Sequence, residues 1–213
     1  AGAVKALGAG QFHAVNAAGT ERLANVVASR ETPPRFIHLS SFAAREPHLS
    51  DYAASKAAGE RLVRSLRQLP AQCWKILRDR MPVVVLRPPA VYGPGDREAL
   101  RVLQMAARGV ILIPAVTGAR LSLVHVDDAT AAVLTALALP VVPDHPVEFD
   151  DHAPGGHGWP EIAAAAAVAL GRPVRTVRVP RAMLYAGAAM GSMAAFLTRR
   201  PTVLSWDKVG EVL

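Results

Sequence analysis

The chain has 213 residues, enough for one or two domains with a sizeable core, and its hydrophobic content of 51% excludes a disordered protein. The single cysteine, Cys73, excludes an internal disulfide and suits a reducing compartment, so we expect a cytoplasmic protein. The net charge of +7 comes mostly from arginines spread from Arg22 to Arg200 without interleaved aromatic residues, and this argues against a nucleic-acid partner.

The first regular element that the sequence predicts is a helix over residues 12–29, after a stretch of small residues at 1–11. Its periodicity rests on five apolar positions, Phe12, Val15, Leu23, Val26 and Val27. Thr32 and two prolines then stop the helix.

A short strand with two hydroxyl groups at its end is predicted next. Phe36–Ser40 is apolar enough for a buried strand, and Ser40 is followed directly by Ser41. In a parallel sheet these hydroxyls would lie at the carboxyl edge, where ligands bind in open α/β folds.

The following helix carries a phenol and an ammonium group on one face. It is predicted from residue 51 to about residue 69, with Ser50 as its N-cap signal, and Tyr52 and Lys56 are four residues apart. A free phenol has a pKa of about 10, and a nearby cation lowers it towards the range of a useful base. We expect Gly59 to permit close packing against a neighbouring helix. The charged residues after it are expected to form the solvated face: Glu60, Arg61, Arg64 and Arg67.

The remaining elements follow from apolar periodicity, prolines and glycines. They are a strand at 83–86, a helix at 97–109, a strand at 110–113, an alternating strand at 121–126, a helix capped by Asp127 and Asp128 that ends near Leu139, a helix at 159–170 closed by Gly171, and a strand within 174–179.

The stretch from Ala182 to Leu197 is uncharged and flanked by arginines. A membrane span usually needs about 20 apolar residues. The pattern therefore favours a buried, interface or lid helix over membrane contact.

Two groups of polar residues could form a metal site or a catalytic pair. His125 and Asp127 could form a metal pair or a dyad, but a structural role is favoured. Potential ligands also gather between Asp144 and His157, yet their spacing fits no tight ligand template, so we expect no metal site.

Four motifs resemble the short-chain dehydrogenase/reductase superfamily, in its extended, epimerase/dehydratase branch. They are the Ser-Ser strand end followed by Tyr-x-x-x-Lys at 52–56, Asn-x-x-Gly-Thr at 16–20, Arg-Pro-x-x-Val-Tyr-Gly-Pro-Gly at 87–95, and His-Val-Asp-Asp at 125–128. A lone Tyr-x-x-x-Lys would be weak evidence. The four motifs stand in the family's order over residues 1 to about 135, and that order makes the resemblance specific.

The resemblance implies an α/β protein with a partial Rossmann fold, that is, a doubly wound parallel sheet, and part of a small C-terminal substrate domain. We expect the NAD(P)-binding part at 1–143, with an excursion to the substrate side at about 93–120, and part of a substrate or lid region at 144–213. The sequence contains no Gly-x-x-Gly-x-x-Gly turn after a strand, the feature that lets a backbone approach a pyrophosphate. We therefore expect a fragment or truncated product that lacks the first βα units.

The resemblance also implies roles for four residues in a reaction at a carbinol or carbonyl carbon. Tyr52 would be the general acid/base, Lys56 would tune it and hold the nicotinamide ribose, and Asn16 would support the proton relay. The second hydroxyl, Ser41, is chosen to bind the reacting oxygen, with Ser40 as the structural alternative.

NAD or NADP is the implied cofactor. Tyr52 and Lys56 are expected to contact the cofactor, and its nicotinamide end is expected against the backbone of Pro88, Pro89, Ala90 and Val91. Arg120 lies one residue from where nucleotide-sugar members place a phosphate-binding arginine. The substrate would be a sugar nucleotide, a sterol-like molecule or another alcohol or carbonyl compound, acted on by oxidation–reduction, epimerisation or dehydration. A homodimer stays open. The competing hypothesis is a non-catalytic Rossmann-like scaffold or assembly subunit.

Overall fold

The computed structural model of the protein describes residues 2–66 and 81–198. Three expectations lie outside these residues: the end of the second helix near Leu69, the surroundings of Cys73, and the exposure of Arg67.

Six helices are found in the described residues. Helix α1 is continuous through Ala9–Phe12, a π-helical segment at His13–Ala18, and Gly19–Ala28. The others are α2 at Asp51–Ser65, α3 at Arg97–Ala107, α4 at Val126–Ala138, α5 at Trp159–Leu170 and α6 at Arg181–Thr198, with a short 3₁₀ helix at Phe42–Arg45.

Nine short strands accompany these helices in the described part of the chain. They are β1 at Phe36–Leu39, β2 at Val83–Arg87, β3 at Ala90–Tyr92, β4 at Val110–Pro114, β5 at Arg120–Leu121, β6 at Leu123–His125, β7 at Val147–Glu148, β8 at His157–Gly158 and β9 at Arg175–Val179.

The main sheet has the parallel order β1-β2-β7 and is covered on both faces. Side chains of β2 alternate between the two layers, as a strand's period of two requires. Val83 and Val85 pack with α1 and α2, whereas Val84 and Leu86 pack with α4. The expected α/β class with a doubly wound parallel sheet is confirmed.

A second core lies between the excursion and the C-terminal region. Strand β4 pairs in parallel with β9, and Ile111 and Ile113 of β4 are buried among residues of α3 and α5. Strand β7 pairs with β2 in the main sheet, although it lies after residue 143, in the region that the sequence pattern assigned to the C-terminal part. The division into two domains stays a prediction.

Helix α1 packs against α2 through small residues. An added Cβ on Gly59 would lie 2.6 Å from the carbonyl oxygen of Asn16, so glycine is what permits this approach. The close packing expected at Gly59 is present. Three of the apolar positions used to predict α1 are exposed (Val15, Leu23 and Val26), and α1 buries mainly alanines instead.

The structure corrects three sequence-based expectations. Glu60 is not on a solvated face, because its side chain is buried. Helix α4 is capped by His125, whose Nδ1 accepts a hydrogen bond from the Asp127 amide, while Asp127 and Asp128 lie in the first turn. The strand expected at 121–126 is two strands, because β5 pairs with β8 and β6 pairs with β3.

The closing elements agree with the sequence pattern. Gly171 ends α5 in the left-handed conformation, and β9 and α6 follow within a residue or so of their expected limits. In the part of the chain that is described, none of the helices combines the length and apolar character that a bilayer crossing demands.

Candidate active site

The end of β1 presents two serines in different environments. The Ser40 amide donates to the Leu86 carbonyl at 2.8 Å, and its buried hydroxyl donates to the carboxylate of Glu60. Ser41 is half-buried and caps the 3₁₀ helix, since its Oγ accepts a hydrogen bond from the Ala43 amide at 3.2 Å. The Ser40 proton is therefore committed to Glu60, while the Ser41 hydroxyl keeps its proton for another acceptor.

Helix α2 carries Tyr52 in its first turn and Lys56 one turn later. Ser50 caps the helix by accepting from the Ala53 amide at 3.0 Å. The half-buried Tyr52 ring meets Phe12 edge to face, with centroids 5.9 Å apart. The helix start and the contact with α1 together fix the direction of the phenol.

Lys56 is buried at the carboxyl end of β1. The residue is only 8% exposed, and its Nζ donates a hydrogen bond to the Leu39 carbonyl at 2.8 Å. Burial lowers the pKa of Lys56, and the charge of Glu60 opposes that shift. The ammonium group thus lies at the sheet edge next to the serine pair.

Asn16 ties the N-terminal segment to α2. Its Oδ1 accepts from the Ala3 amide at 2.8 Å, and its Nδ2 donates to the Ala3 carbonyl at 2.9 Å and to Ser55 Oγ at 3.0 Å. Ser55 in turn donates to the Tyr52 carbonyl at 2.7 Å. A single buried amide thereby links residue 3, α1 and the turn of α2 that carries Tyr52.

Gly2 lies directly against this arrangement. An added Cβ there would lie 3.2 Å from Asn16 Oδ1 and 3.3 Å from Lys56 Nζ. A side chain at this position would crowd both polar groups, so the glycine keeps the space beside the ammonium group open.

Within the Pro88–Val91 segment, Pro88 contacts the site, whereas Ala90 and Val91 at the other end are exposed. The Pro88 carbonyl accepts from the Phe42 amide at 2.9 Å, which places it beside the segment after Ser41. Pro88 and Pro89 are half-buried, whereas Ala90 and Val91 lie exposed in β3.

An ionic network crosses the carboxyl edge of the main sheet, and sequence reasoning missed it. Arg87 donates two hydrogen bonds to Glu60, at 2.8 and 2.7 Å, and a third to Glu148 at 3.2 Å. Arg45 binds Glu148 through two nitrogens. We call Ser40, Glu60, Arg87, Glu148 and Arg45 the Glu60 network. The available signal was that Glu60 follows Lys56 by four residues, on the same helix face.

His38 of β1 is a second buried residue that the sequence did not single out. It is 6% exposed, and its Nε2 has no hydrogen-bond partner among the described residues. Burial, together with the nearby Lys56 charge, lowers the pKa of His38 from 6.5 to about 4, with Glu60 opposing. The neutral imidazole lies against Gly59, where α2 crosses α1.

Other polar residues that the sequence raised lie in structural contacts. The His125 cap also meets the Tyr92 ring edge to face, at 5.3 Å between centroids, as a structural role predicts. Arg120 donates to the carbonyls of Gly155 and Gly156 and to Glu161.

The acidic and histidine residues between 144 and 157 form a local contact. His157 Nε2 lies 2.5 Å from Asp151 Oδ2, and the hydrogen bond from His157 holds the pKa of Asp151 below its usual value. Within residues 2–66 and 81–198 the structure contains no group of three or more histidine, cysteine, aspartate or glutamate side chains arranged to hold a metal ion.

Comparison with known proteins identifies the family to which this arrangement belongs. The family model described as "NAD dependent epimerase/dehydratase family" matches residues 2–149. The chain belongs to this family. The match covers α1, α2, β1, β2 and the Pro88–Val91 segment, so all of the candidate active site lies within it.

A curated relative extends the match to the whole chain. The chain is 37% identical over 213 residues to a protein of Caulobacter vibrioides named "Ceramide reductase". The alignment covers 100% of this chain and 62% of the relative, so the chain spans less than two thirds of the relative's length.

Solved structures share the fold of this epimerase/dehydratase family member at lower identity. A UDP-glucuronic acid 4-epimerase from Bacillus cereus in complex with NAD has a TM-score of 0.65 and 17% identity, covering 100% of this chain and 70% of its own. A dTDP-4-dehydrorhamnose reductase from Bacillus anthracis in complex with NADP has a TM-score of 0.63 and 18% identity, covering 95% and 72%. MoeE5 in complex with UDP-glucose and NAD has a TM-score of 0.64 and 21% identity, covering 80% and 59%.

Proposed function

We propose that this chain carries the proton-transfer half of an NAD(P)-dependent reductase that acts on a carbonyl group of a ceramide-class lipid. The observation that carries the proposal is the buried Lys56 ammonium group at the carboxyl end of β1, one helical turn from Tyr52 and beside the serine pair. Family membership and the 37% identical reductase support the reaction class.

The residues present fit the nicotinamide end of a dinucleotide. The space that a Cβ on Gly2 would fill lies next to Lys56 Nζ and Asn16 Oδ1, a donor and an acceptor suited to ribose hydroxyls. Lys56 would hold the ribose there, and the backbone of Pro88–Val91 would lie against the nicotinamide ring. When bound in its reduced form, the cofactor supplies a hydride to the substrate carbon.

Proton transfer is the task of Tyr52 in this proposal. Its hydroxyl donates a proton to the substrate oxygen as that oxygen gains negative charge, and the phenolate that results is stabilised by the Lys56 cation until solvent returns the proton. Asn16 and Ser55 hold the backbone of this helical turn. Their bonds to Ala3 and to the Tyr52 carbonyl keep α2 in register with α1.

Ser41 is the serine that we propose to donate to the substrate oxygen, because the Ser40 proton already goes to Glu60. Replacing Ser41 with alanine should lower kcat by about 100-fold, the usual effect of losing one donor to a developing oxyanion. Ser40→Ala is the matched control and should cost less than about tenfold, since Glu60 keeps both of its bonds to Arg87. Steady-state kinetics with the two variants side by side would test this. A larger loss in Ser40→Ala would reverse the assignment.

The ceramide class is favoured over a sugar nucleotide by the state of Arg120. Its Nε and Nη2 already donate to two carbonyls and to Glu161, so a diphosphate would have to compete with these bonds. The complexes with UDP-glucose and NAD or UDP-glucuronic acid and NAD belong to neighbours below 25% identity, and they support the fold. A long-chain ketone of the ceramide class is therefore the substrate to test first.

Calorimetry with NADH and NADPH tests the proposal, on this chain and on a form extended upstream in its reading frame. We expect the extended form to bind one of the two in about the micromolar to submillimolar range and to oxidise it when a ceramide-class ketone is added. This chain should bind more weakly, because its sequence has no glycine-rich phosphate-binding turn. Failure of both forms to bind, or turnover with UDP-glucose alone, would contradict the proposal.

The competing function, a non-catalytic scaffold, predicts a different result in the same experiment. A stable hetero-complex isolated from the source, with cofactor binding but no turnover of any ketone or sugar nucleotide, would favour it. The serine, tyrosine and lysine side chains that a scaffold does not need are all present here, and this supports the enzyme.

A further inference from the structure

The Glu60 carboxylate lies buried at the site, and the proton-transfer scheme above gives it no task. Its residue is 4% exposed, and the carboxylate accepts hydrogen bonds from Ser40 Oγ and from Arg87 Nε and Nη2. A buried charge is costly unless it is paired and hydrogen-bonded. Three donors on one carboxylate meet that requirement.

These bonds join three elements that carry proposed site residues. Glu60 lies one turn beyond Lys56 on α2, Ser40 immediately precedes Ser41, and Arg87 immediately precedes Pro88. Because the Arg87 fork contacts both carboxylate oxygens, it fixes the orientation of the carboxylate as well as its position.

The Glu60 network continues outward to the segment after Ser41. Glu148 of β7 receives one bond from Arg87 and two from Arg45, the last residue of the 3₁₀ helix. The Arg45 guanidinium also lies 4.0 Å from the centroid of the Phe42 ring. The network therefore holds both sides of Ser41.

We propose that Glu60 is a positioning residue, whose carboxylate locks the ends of β1 and β2 against α2 and keeps Lys56 as an ammonium ion. The catalytic part of this inference, that Glu60 positions residues for proton transfer, rests on the function proposed above. The structural part, a negative charge that sustains the Lys56 cation, can be measured without turnover.

The groups that face Lys56 make this coupling testable. Glu60 lies on its own helix, His38 on β1, Asn16 on α1, and Tyr52 one turn earlier. Glu60 is the carboxylate that raises the pKa of Lys56 against the effect of burial. Removing its charge should therefore let Lys56 lose its proton at a lower pH.

Carbon-13 NMR of lysine Cε is the direct measurement, because the chain has only four lysines: Lys5, Lys56, Lys75 and Lys208. Lys56→Met assigns the signal. In Glu60→Gln, which keeps the shape of the side chain, we expect the titration midpoint of Lys56 to move to lower pH. Glu98→Gln is the matched control, because it removes the carboxylate bound to Lys5 and should leave the Lys56 midpoint unchanged.

Turnover in the upstream-extended protein gives the second readout. Glu60→Gln should lower kcat by about 100-fold, as expected for a misplacement of about 1 Å, while the dissociation constant of the cofactor changes less than about threefold. A merely structural role would lower the melting temperature without moving the Lys56 midpoint. An unchanged midpoint overturns the inference. If the midpoint shifts in Glu60→Gln but the wild-type extended protein shows no turnover, the result supports the inference and contradicts the proposed function.

A second variant covers the case in which Glu60→Gln does not fold. Glu60→Met combined with Arg87→Met removes both charges, so neither is left buried and unpaired. The Lys56 midpoint should again fall below that of the wild type. A wild-type midpoint in this double variant would overturn the inference as well.

Discussion

Replacing Tyr52 with phenylalanine should lower kcat by about 100- to 10,000-fold and leave the dissociation constant of NAD(P)H nearly unchanged. The change removes only the hydroxyl, the proposed proton donor, and general acid catalysis is typically worth this much. The ring keeps its edge-to-face contact with Phe12, and the helix keeps its Ser50 cap. Steady-state oxidation of the cofactor with a ceramide-class ketone, in the upstream-extended protein, measures the effect.

A matched tyrosine elsewhere separates chemistry from folding. Tyr185→Phe in α6 makes the same chemical change outside the candidate site and should alter kcat less than about twofold. Melting temperatures of both variants should stay close to that of the wild type. A Tyr52→Phe enzyme within about threefold of wild-type kcat would mean that another group supplies the proton. The role proposed for Tyr52 would then be wrong.

His38 should make the protein lose stability in mild acid. Its folded pKa of about 4 lies below the ordinary value of 6.5, so the unfolded chain takes up a proton at a pH where the folded protein does not. The stabilisation is therefore complete above pH 6.5 and is lost as the pH falls towards about 4. A shift of this size corresponds to about 3 kcal/mol of unfolding free energy, at about 1.36 kcal/mol per pH unit.

Urea unfolding at a series of pH values measures this loss, and His38→Met isolates its source. Methionine fills a similar volume without titrating, so the variant's unfolding free energy should be flat where that of the wild type falls. Carboxylates such as Glu148, whose pKa is held below 4.5 by hydrogen bonds from Arg45, lose their contribution only at lower pH. The interval from pH 6.5 down to 4.5 therefore reports mainly on His38.

A surface histidine provides the control for this experiment. His48→Gln removes an imidazole whose side chain is 73% exposed and should leave the pH dependence as it is in the wild type. If wild type and His38→Met have the same slope over this interval, the buried imidazole is not the group that couples protonation to folding. The acid sensitivity would then have to come from other histidines or from carboxylates.

Features that depend on near neighbours in the chain were predictable from the sequence. The pairing of Tyr52 with Lys56 on one face, the Ser50 cap, the end of α5 at Gly171 and the buried strand at Val83–Arg87 all follow from interactions within about four residues or from a continuous apolar run. The family motifs added the order of the elements and the α/β class. The candidate active site could be proposed from the sequence because the Ser-Ser, Tyr-x-x-x-Lys and Arg-Pro motifs end strands or begin helices.

The burial of individual polar side chains was not predictable in the same way. Glu60 reads as one charge among several on a helix, and only its contacts with Ser40 and Arg87, 20 and 27 residues away, make it part of the core. His38 reads as one residue of an apolar strand until Gly59 of α2 packs over it.

Which features could be predicted from the sequence, and which could not, follows from the distance along the chain over which the responsible interactions act. Helix periods, caps and turns are set by atoms a few residues apart, so the sequence by itself determined the helices, the longer strands and the four-residue spacing of Tyr52 and Lys56. The choice of Ser41 as the site serine stays a prediction from the family resemblance. Burial and charge pairing depend on which elements meet across the sheet. Only the tertiary structure therefore decided that Glu60, Arg87 and Glu148 form one network, that Lys56 points to the end of β1, and that Val15, Leu23 and Val26 of α1 face outward.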